Sequence, residues 1–223
     1  MITSNVIHRV FKIQYEDSEG TGFTIDVEGC EYLITAKHIV ESLTGAGTIG
    51  MFSNGEWSPL HVTLVGHAPA DADISVLAAN QLLTPQNLPM EATSEGLIYG
   101  QDAYFLGYPY GFTGQFMFGS GGYPLPFVKK AVVSLLNMKK VFLDGHNNPG
   151  FSGGPVIFSN TGNTNYKVAA VISGYRIVEE PVFAGDKQSG LTYRYNTGII
   201  VADTIAYAIE IIQEIRLDSS WPK

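Results

Sequence analysis

Along most of the chain apolar and polar residues alternate one by one, the pattern of strands with one face in a core and the other toward water. Val6 to Tyr15 is rich in β-branched and aromatic residues and stops at the turn-forming run Glu16-Asp17-Ser18-Glu19-Gly20. Thr21 to Val27 alternates again as far as Glu28-Gly29, and Glu31 to Thr35 forms a third short strand. Such closely spaced strands predict a small antiparallel barrel or sandwich. Leu60 to Gly66 and Asp73 to Leu77 continue the pattern. Gln81 to Glu95 loses it and carries Pro85 and Pro89, which predicts a linker. Strands resume at Asp102 to Gly107, followed by the loop Tyr108-Pro109-Tyr110-Gly111. Gly119 to Pro126 reads as a second flexible stretch, and Phe127 to Leu136 with Lys140 to Leu143 as paired strands. Val156 to Phe158, Val168 to Ser173 and Leu191 to Val201 are the remaining strands, with a polar turn at Asn160 to Asn165. Only near the C-terminus does the period change. Val201, Ile205, Ile209, Ile212 and Ile215 step by three or four, which predicts a helix over Asp203 to Leu217 packed on the body of the protein. Asp203 stands at its N-cap.

Composition narrows this picture. At 223 residues the chain can bury a sizeable core, in one domain or in two that share a cleft. A hydrophobic share of 45% with 25 Gly and 11 Pro is globular and turn-rich, neither disordered nor membrane-spanning. A formal net charge of −8 argues against nucleic acid as a partner. Cys30 is the single cysteine, which rules out an internal disulfide and most zinc sites; ahead of Tyr32-Leu33-Ile34 it reads as a small buried hydrophobe. His61 and His67 fit no common metal-ligand spacing and read as ordinary strand and turn residues, so no metal or other cofactor is expected. Met1 to Tyr15 has no basic segment leading into a long apolar one, so neither a signal peptide nor a membrane span is expected. A cytoplasmic protein, or a domain of a longer chain, is the resulting expectation.

Candidate chemistry concentrates in Asn147-Asn148-Pro149-Gly150-Phe151-Ser152-Gly153-Gly154-Pro155-Val156. Pro149 biases Asn148 toward an extended backbone, and the glycines give access to positive φ. A peptide bent this way can aim backbone N–H groups into one small volume, which an oxyanion requires. Ser152 is therefore a candidate nucleophile; the plain alternative is a tight Gly/Pro/Asn turn. His38 follows a buried-looking strand directly, where an imidazole is held at the edge of a cleft or simply caps a turn. Asp73 opens a short apolar strand, where its carboxylate could be buried against an imidazole, whereas Asp71 fits a solvated turn better. Gly150-x-Ser152-x-Gly154 also matches a nucleophile elbow, but that fold needs a helix after the serine and a later histidine. Here Pro155 and a strand follow, and no histidine occurs after His146. An Asp–His–Ser order would need Asp17 or Asp26, both in turn or alternating contexts. The order His38, Asp73, Ser152 remains.

In that order the chain resembles the trypsin-like (chymotrypsin-fold) serine peptidases. The matching pieces are Thr21-Gly22-Phe23, Leu33 to Val40 with its Thr35-Ala36-Lys37-His38, Asp73 to Leu77, Phe105 to Gly111, and Gly150 to Pro155. They look most like the compact bacterial catalytic domains of HtrA-type (Deg) proteases, here expected without a PDZ domain. The resemblance implies an all-β fold of two antiparallel six-stranded β-barrels, with the triad at their junction and a C-terminal α-helix. It implies an N-terminal barrel over residues 1–84, a linker over 85–98, a C-terminal barrel over 99–200, and helix and tail over 201–223. It further implies a serine endopeptidase with His38 as general base, Asp73 fixing the imidazole, and the N–H groups of Gly150 and Ser152 as oxyanion hole. Phe151 departs from the family, which keeps that position small or polar. Ile172-Ser173-Gly174-Tyr175 would pair with an extended protein or peptide substrate. His146 would lie near the floor of the specificity pocket and Gly198 on its wall, favouring an uncharged, small-to-medium P1 residue, although Asp144 lies close by. The alternative is a catalytically silent or partner-activated module of the same fold, acting as a protein-binding domain.

Overall fold

The computed structural model describes residues 2–85, 90–118, 121–160 and 165–217. A short helix α1 (Ser4–Ile7) precedes six strands, β1 (Val10–Tyr15), β2 (Ser18–Val27), β3 (Cys30–Thr35), β4 (Ala46–Ser53), β5 (Glu56–His67) and β6 (Ser75–Ala79). They close into an antiparallel barrel in the order β1-β2-β3-β6-β5-β4. Tight turns set the register. Tyr15 faces Ser18 across a two-residue turn with Glu16 at φ 50°, so β2 begins inside the run expected to be a longer turn. Glu28 (φ 48°) and Gly29 (φ 81°) make the next hairpin, the left-handed pair that matches strand twist. Cys30 lies at the mouth of that hairpin and is exposed, not buried as its apolar successors suggested. β4 was not foreseen because Gly47, Gly50 and scattered polar residues break its alternation. Its sequence signal was Asn54-Gly55, again a pair at positive φ, joining it to β5.

β7 (Glu91–Ala92) lies within the stretch expected to be a linker and pairs in parallel with the later strand β14; residues 86–89 of that stretch fall outside the described residues. β8 (Asp102–Gly107) is followed by the hairpin β9 (Gly114–Phe118) and β10 (Gly121–Leu125). The stretch expected to be flexible at 119–126 thus contains a strand, while its residues 119–120 lie outside the described residues. β11 (Phe127–Leu136), β12 (Lys140–Asp144), β13 (Pro155–Phe158), β14 (Lys167–Ala184), β15 (Lys187–Thr204) and α2 (Ala206–Leu217) complete the chain. The expected turn between Asn160 and Asn165 spans residues 161–164, which are outside the described residues. A second sheet runs β13-β8-β11-β12-β15-β14-β7, and β13 pairs with β14 as well, which turns six of its strands into a ring. The architecture is the expected double barrel with a C-terminal helix.

Two further elements differ from expectation. β14 and β15 run on beyond the ring as an exposed hairpin whose tip carries Phe183 and Leu191. And α2 starts at Ala206, leaving Asp203 inside β15. The ladder with β12 continues to Asp203, which sits opposite Lys140, so the side chain is drawn into the sheet instead of capping the helix.

Three apolar clusters hold the body together. One fills the first barrel around Ile13, Leu33, Ile49 and Leu77. Another fills the second around Phe105, Phe151, Val156 and Ile200. The third lies between them and joins Phe23, Ile34 and Val76 to Leu106, Ile157 and Val171, with Ile205, Tyr207 and Ile212 of the α2 region. Burial between the barrels fixes the cleft that the two share.

Candidate active site

His38 stands on a single 3-10 turn, Lys37–Ile39, directly after β3. Its neighbours determine where it points. Ala36, Ile39 and Val40 are buried in the first core, so the turn is pinned on both sides and the imidazole between them is left half-exposed. Asp73 lies in the loop between β5 and β6. Its Oδ1 accepts from His38 N at 2.9 Å, and its Oδ2 contacts His38 Nδ1 at 2.6 Å. A carboxylate only accepts, so Nδ1 carries the proton and Nε2 is left as the basic nitrogen. The hydrogen bond to Asp73 holds the His38 pKa above its ordinary value; burial opposes this, and the charges of Asp73 and Glu41 reinforce it.

The Ser152 loop is built differently. Gly150 has φ +99°, and a Cβ there would lie 2.3 Å from Tyr108 O. Gly153 has φ +81°, and its Cβ would lie 2.1 Å from Thr21 O and 2.7 Å from Ala36 N. Only glycine fits either place. Phe151, the unusual residue, is fully buried and packs edge-on against Phe105 at 4.9 Å, so it anchors the loop into the second core. Lys129 Nζ lies 5.7 Å from the Phe151 ring centroid and donates to His146 O and to Asn148 Oδ1; burial pushes its pKa down.

The loop's peptide groups can be followed one by one. Pro149 O accepts from Tyr110 N at 2.8 Å, so across the trans peptide Gly150 N–H points the opposite way. Gly150 O accepts from Thr21 Oγ1 at 2.7 Å, and Phe151 N donates to Asn148 O at 3.3 Å. Phe151 O accepts from Gly154 N at 2.8 Å, which turns Ser152 N–H away from the loop interior. Ser152 O accepts from Thr21 N at 2.9 Å, and Gly153 N donates to Ile172 O at 2.8 Å. The N–H groups of Phe151, Gly153 and Gly154 are thus engaged, whereas those of Gly150 and Ser152 donate to no group among the described residues.

The structure brings His38 and Asp73 into contact and sets the Ser152 loop against the same wall. A Cβ on Gly20 would meet both Ile39 Cδ1, at 2.2 Å, and Ser152 O, at 2.9 Å. No hydrogen bond joins Ser152 Oγ to His38 among the described residues. His38 and Asp73 line a groove of roughly 250 Å³ with Lys37, Glu41, Lys140 and Ser173. Of the residues expected at the substrate site, Ser173 alone lines that groove. Ile172 is buried, and both its main-chain groups are engaged, N–H to Gly154 O at 2.9 Å and C=O from Gly153 N. Gly174 O accepts from Asn147 Nδ2 at 3.2 Å. Gly198, at φ +81°, accepts from Gly145 N at 2.9 Å beside the exposed His146.

Several residues at this site had escaped the sequence reading. Thr21 carries the two bonds above from the first barrel to the loop. Asn147 and Asn196 tie the loop to β14 and β15, with Asn196 Nδ2 donating to Asn147 O at 2.7 Å. Asp203 and Lys140 lie under Asp73. These depend on register and long-range contact, which no local pattern encodes. His61 and His67 sit in β5, bonded to Thr48 and Ser75 at 2.9 and 2.7 Å. No cluster of His, Cys, Asp or Glu able to hold a metal occurs among the described residues.

A family model described as trypsin-like peptidase domain matches residues 20–164. No curated protein sequence matches the chain. Among solved structures, the chain is similar to the inactive form of the Rv3671c protease of M. tuberculosis H37Rv, at TM-score 0.59 and 20% identity over 94% of this chain and 90% of that one. It is similar also to the HtrA-type protease AlgW with tripeptide, at TM-score 0.58 and 23% identity over 95% of this chain and 61% of that one. A third, Deg5, gives TM-score 0.53 and 21% identity over 76% of this chain and 80% of that one. At these identities the structural likeness concerns the fold.

Proposed function

We propose that this chain, which belongs to the trypsin-like peptidase family, is a serine endopeptidase acting through Ser152, His38 and Asp73. The observation that carries the proposal is the peptide accounting of the loop. Three of five consecutive N–H groups are engaged, and the two that are not, Gly150 and Ser152, are the pair an oxyanion hole would use.

In this reading Ser152 Oγ attacks the scissile carbonyl while His38 Nε2 takes its proton. Asp73, bonded to both Nδ1 and the main chain of His38, keeps the tautomer and stabilises the imidazolium. The carbonyl oxygen, now negative, accepts from Gly150 and Ser152 N–H. Collapse expels the amine, which receives the proton from Nε2, and the acyl-enzyme is then hydrolysed by water with His38 again as base. Contact between Oγ and Nε2 is made when substrate closes the cleft, since catalytic hydrogen bonds are commonly long before binding.

An extended peptide is the proposed ligand, as AlgW is described with a tripeptide. It would pair from Ser173 onward, because Ile172 has its main-chain groups engaged. His146 and Gly198 would border the P1 pocket, with an uncharged, small-to-medium residue preferred. A second reading is a silent or partner-activated module, favoured by the missing Ser152–His38 bond. A fluorophosphonate probe separates the two. Labelling of the wild type and none of Ser152→Ala supports the peptidase; a wild type that stays unlabelled, alone and with candidate partner proteins, sinks it.

A further inference from the structure

The strands that carry the second barrel also reach under the first barrel's catalytic corner. Asp203 is fully buried. Its Oδ2 accepts from Asp73 N at 3.2 Å, and its Oδ1 pairs with Lys140 Nζ at 2.6 Å. Lys140 and Asp203 stand directly opposite one another on β12 and β15, so the sheet register sets the pair before any side chain turns. Asp73 meanwhile has both carboxylate oxygens on His38. Its main chain is therefore gripped from below while its side chain grips the imidazole from the side.

We infer that Asp203, tethered by Lys140, is a positioning residue that sets the pose of Asp73 and through it that of His38. A buried carboxylate is costly unless paired. Fold stability alone gives no reason to place one against the main chain of Asp73. Without that acceptor the part-buried Asp73 N–H would lose its partner, and the loop would turn to find another. A turn of that kind moves the carboxylate off Nδ1. The bridge also crosses between barrels, so the corner keeps its place relative to the Ser152 loop.

The inference about turnover rests on the peptidase reading, so its test includes a measurement that does not. Two neutral double variants differ only in whether an acceptor for Asp73 N–H survives. Asp203→Asn with Lys140→Gln keeps one, and Asp203→Leu with Lys140→Met replaces the pair by apolar groups of similar size. Turnover is measured per fluorophosphonate-reactive site, and the His38 imidazole is titrated by NMR. The titratable groups that line the groove with that imidazole are Asp73, Glu41, Lys37, Asp71, Lys140 and Asp203, and both variants remove the same two.

The Asn/Gln pair is expected within about 3-fold of wild-type kcat, and the Leu/Met pair on the order of 10- to 100-fold below it with KM little changed. The His38 midpoint should stay near the wild-type value in the first and fall in the second. Equal behaviour of the two variants in both measurements overturns the inference. If the Leu/Met pair does not fold, Asp203→Ala with Lys140→Gln, which likewise removes the acceptor and both charges, takes its place with the same two outcomes. If Ser152 proves unreactive in the wild type, the peptidase reading fails, and the His38 titration still decides this one.

Discussion

His38 and Asp73, on the first barrel, are joined by bonds that end on a carboxylate. The loop around Ser152, on the second, is held almost wholly by main-chain bonds and by glycines that no larger residue can replace. The corner depends on the identity of two side chains, and a conservative change there leaves the backbone in place while removing charge. The loop depends on dihedral angles, and a change of one methyl group there moves the donors while leaving every charge in place. The two regions should therefore fail in different ways, which makes the comparison testable.

The largest effect is expected at the corner. Asp73→Asn keeps the shape but presents a donor to Nδ1 and favours the wrong tautomer. Turnover should fall by roughly 10⁴-fold with the fold intact. Burst kinetics and circular dichroism check both halves, and turnover within tenfold of wild type would show that Asp73 is not the orienting acid.

Next comes the loop. Gly150→Ala puts a Cβ 2.3 Å from Tyr108 O at φ +99°, so the peptide must shift. We expect kcat to drop about 10²–10³-fold, the scale of losing one oxyanion donor. His38 should titrate as in the wild type, because its partners are on the other barrel. A shifted His38 midpoint in this variant would mean that the two regions are not separable.

Thr21 is where they meet, and the effect there should be smaller. Its hydroxyl donates to Gly150 O and accepts from Tyr108 N at 3.3 Å, while Thr35 Oγ1 donates to Thr21 O at 2.8 Å. Thr21→Val keeps the volume and strips the hydroxyl, removing its bonds to Gly150 O and from Tyr108 N. Stability should fall by about 1–3 kcal/mol. Activity should fall by roughly tenfold if the loop loosens, within the 10²-fold that a 1 Å misplacement costs. Chemical denaturation and kcat/KM measure the two losses.

The same contrast explains what could be read from the sequence. Strand positions and the three candidate side chains follow from alternation, glycine placement and residue order, whereas the double barrel came from the family resemblance that those residues carry. Thr21 was visible only as a strand residue, because its role depends on which loop the second barrel brings against it. Asp203 was assigned to the helix cap because an aspartate before an apolar 3.6-residue period is the usual cap signal; the β12–β15 register overrode it. The β14–β15 hairpin runs well past the expected strands Val168 to Ser173 and Leu191 to Val201, through Glu179, Glu180 and Pro181. In the structure these two strands pair with each other and leave both faces largely exposed, so no burial pattern marks them.

The smallest and most discriminating prediction concerns pH. His38 is held above its ordinary value first by its hydrogen bond to Asp73 and then by nearby negative charge, with burial working against both. A base must be unprotonated to accept from Ser152, so kcat/KM should fall on the acid side with a midpoint above about 6.5, the free-histidine value. The raised value also carries a stability consequence. Its contribution is fully present below the unfolded-state pKa and is lost as pH rises through the folded-state value. Activity and this part of stability therefore run in opposite directions across the same window. Asp73→Asn should move the NMR midpoint of His38 downward, and Gly150→Ala should not. An acid limb that stays in place when Asp73 is changed would assign it to a group other than His38.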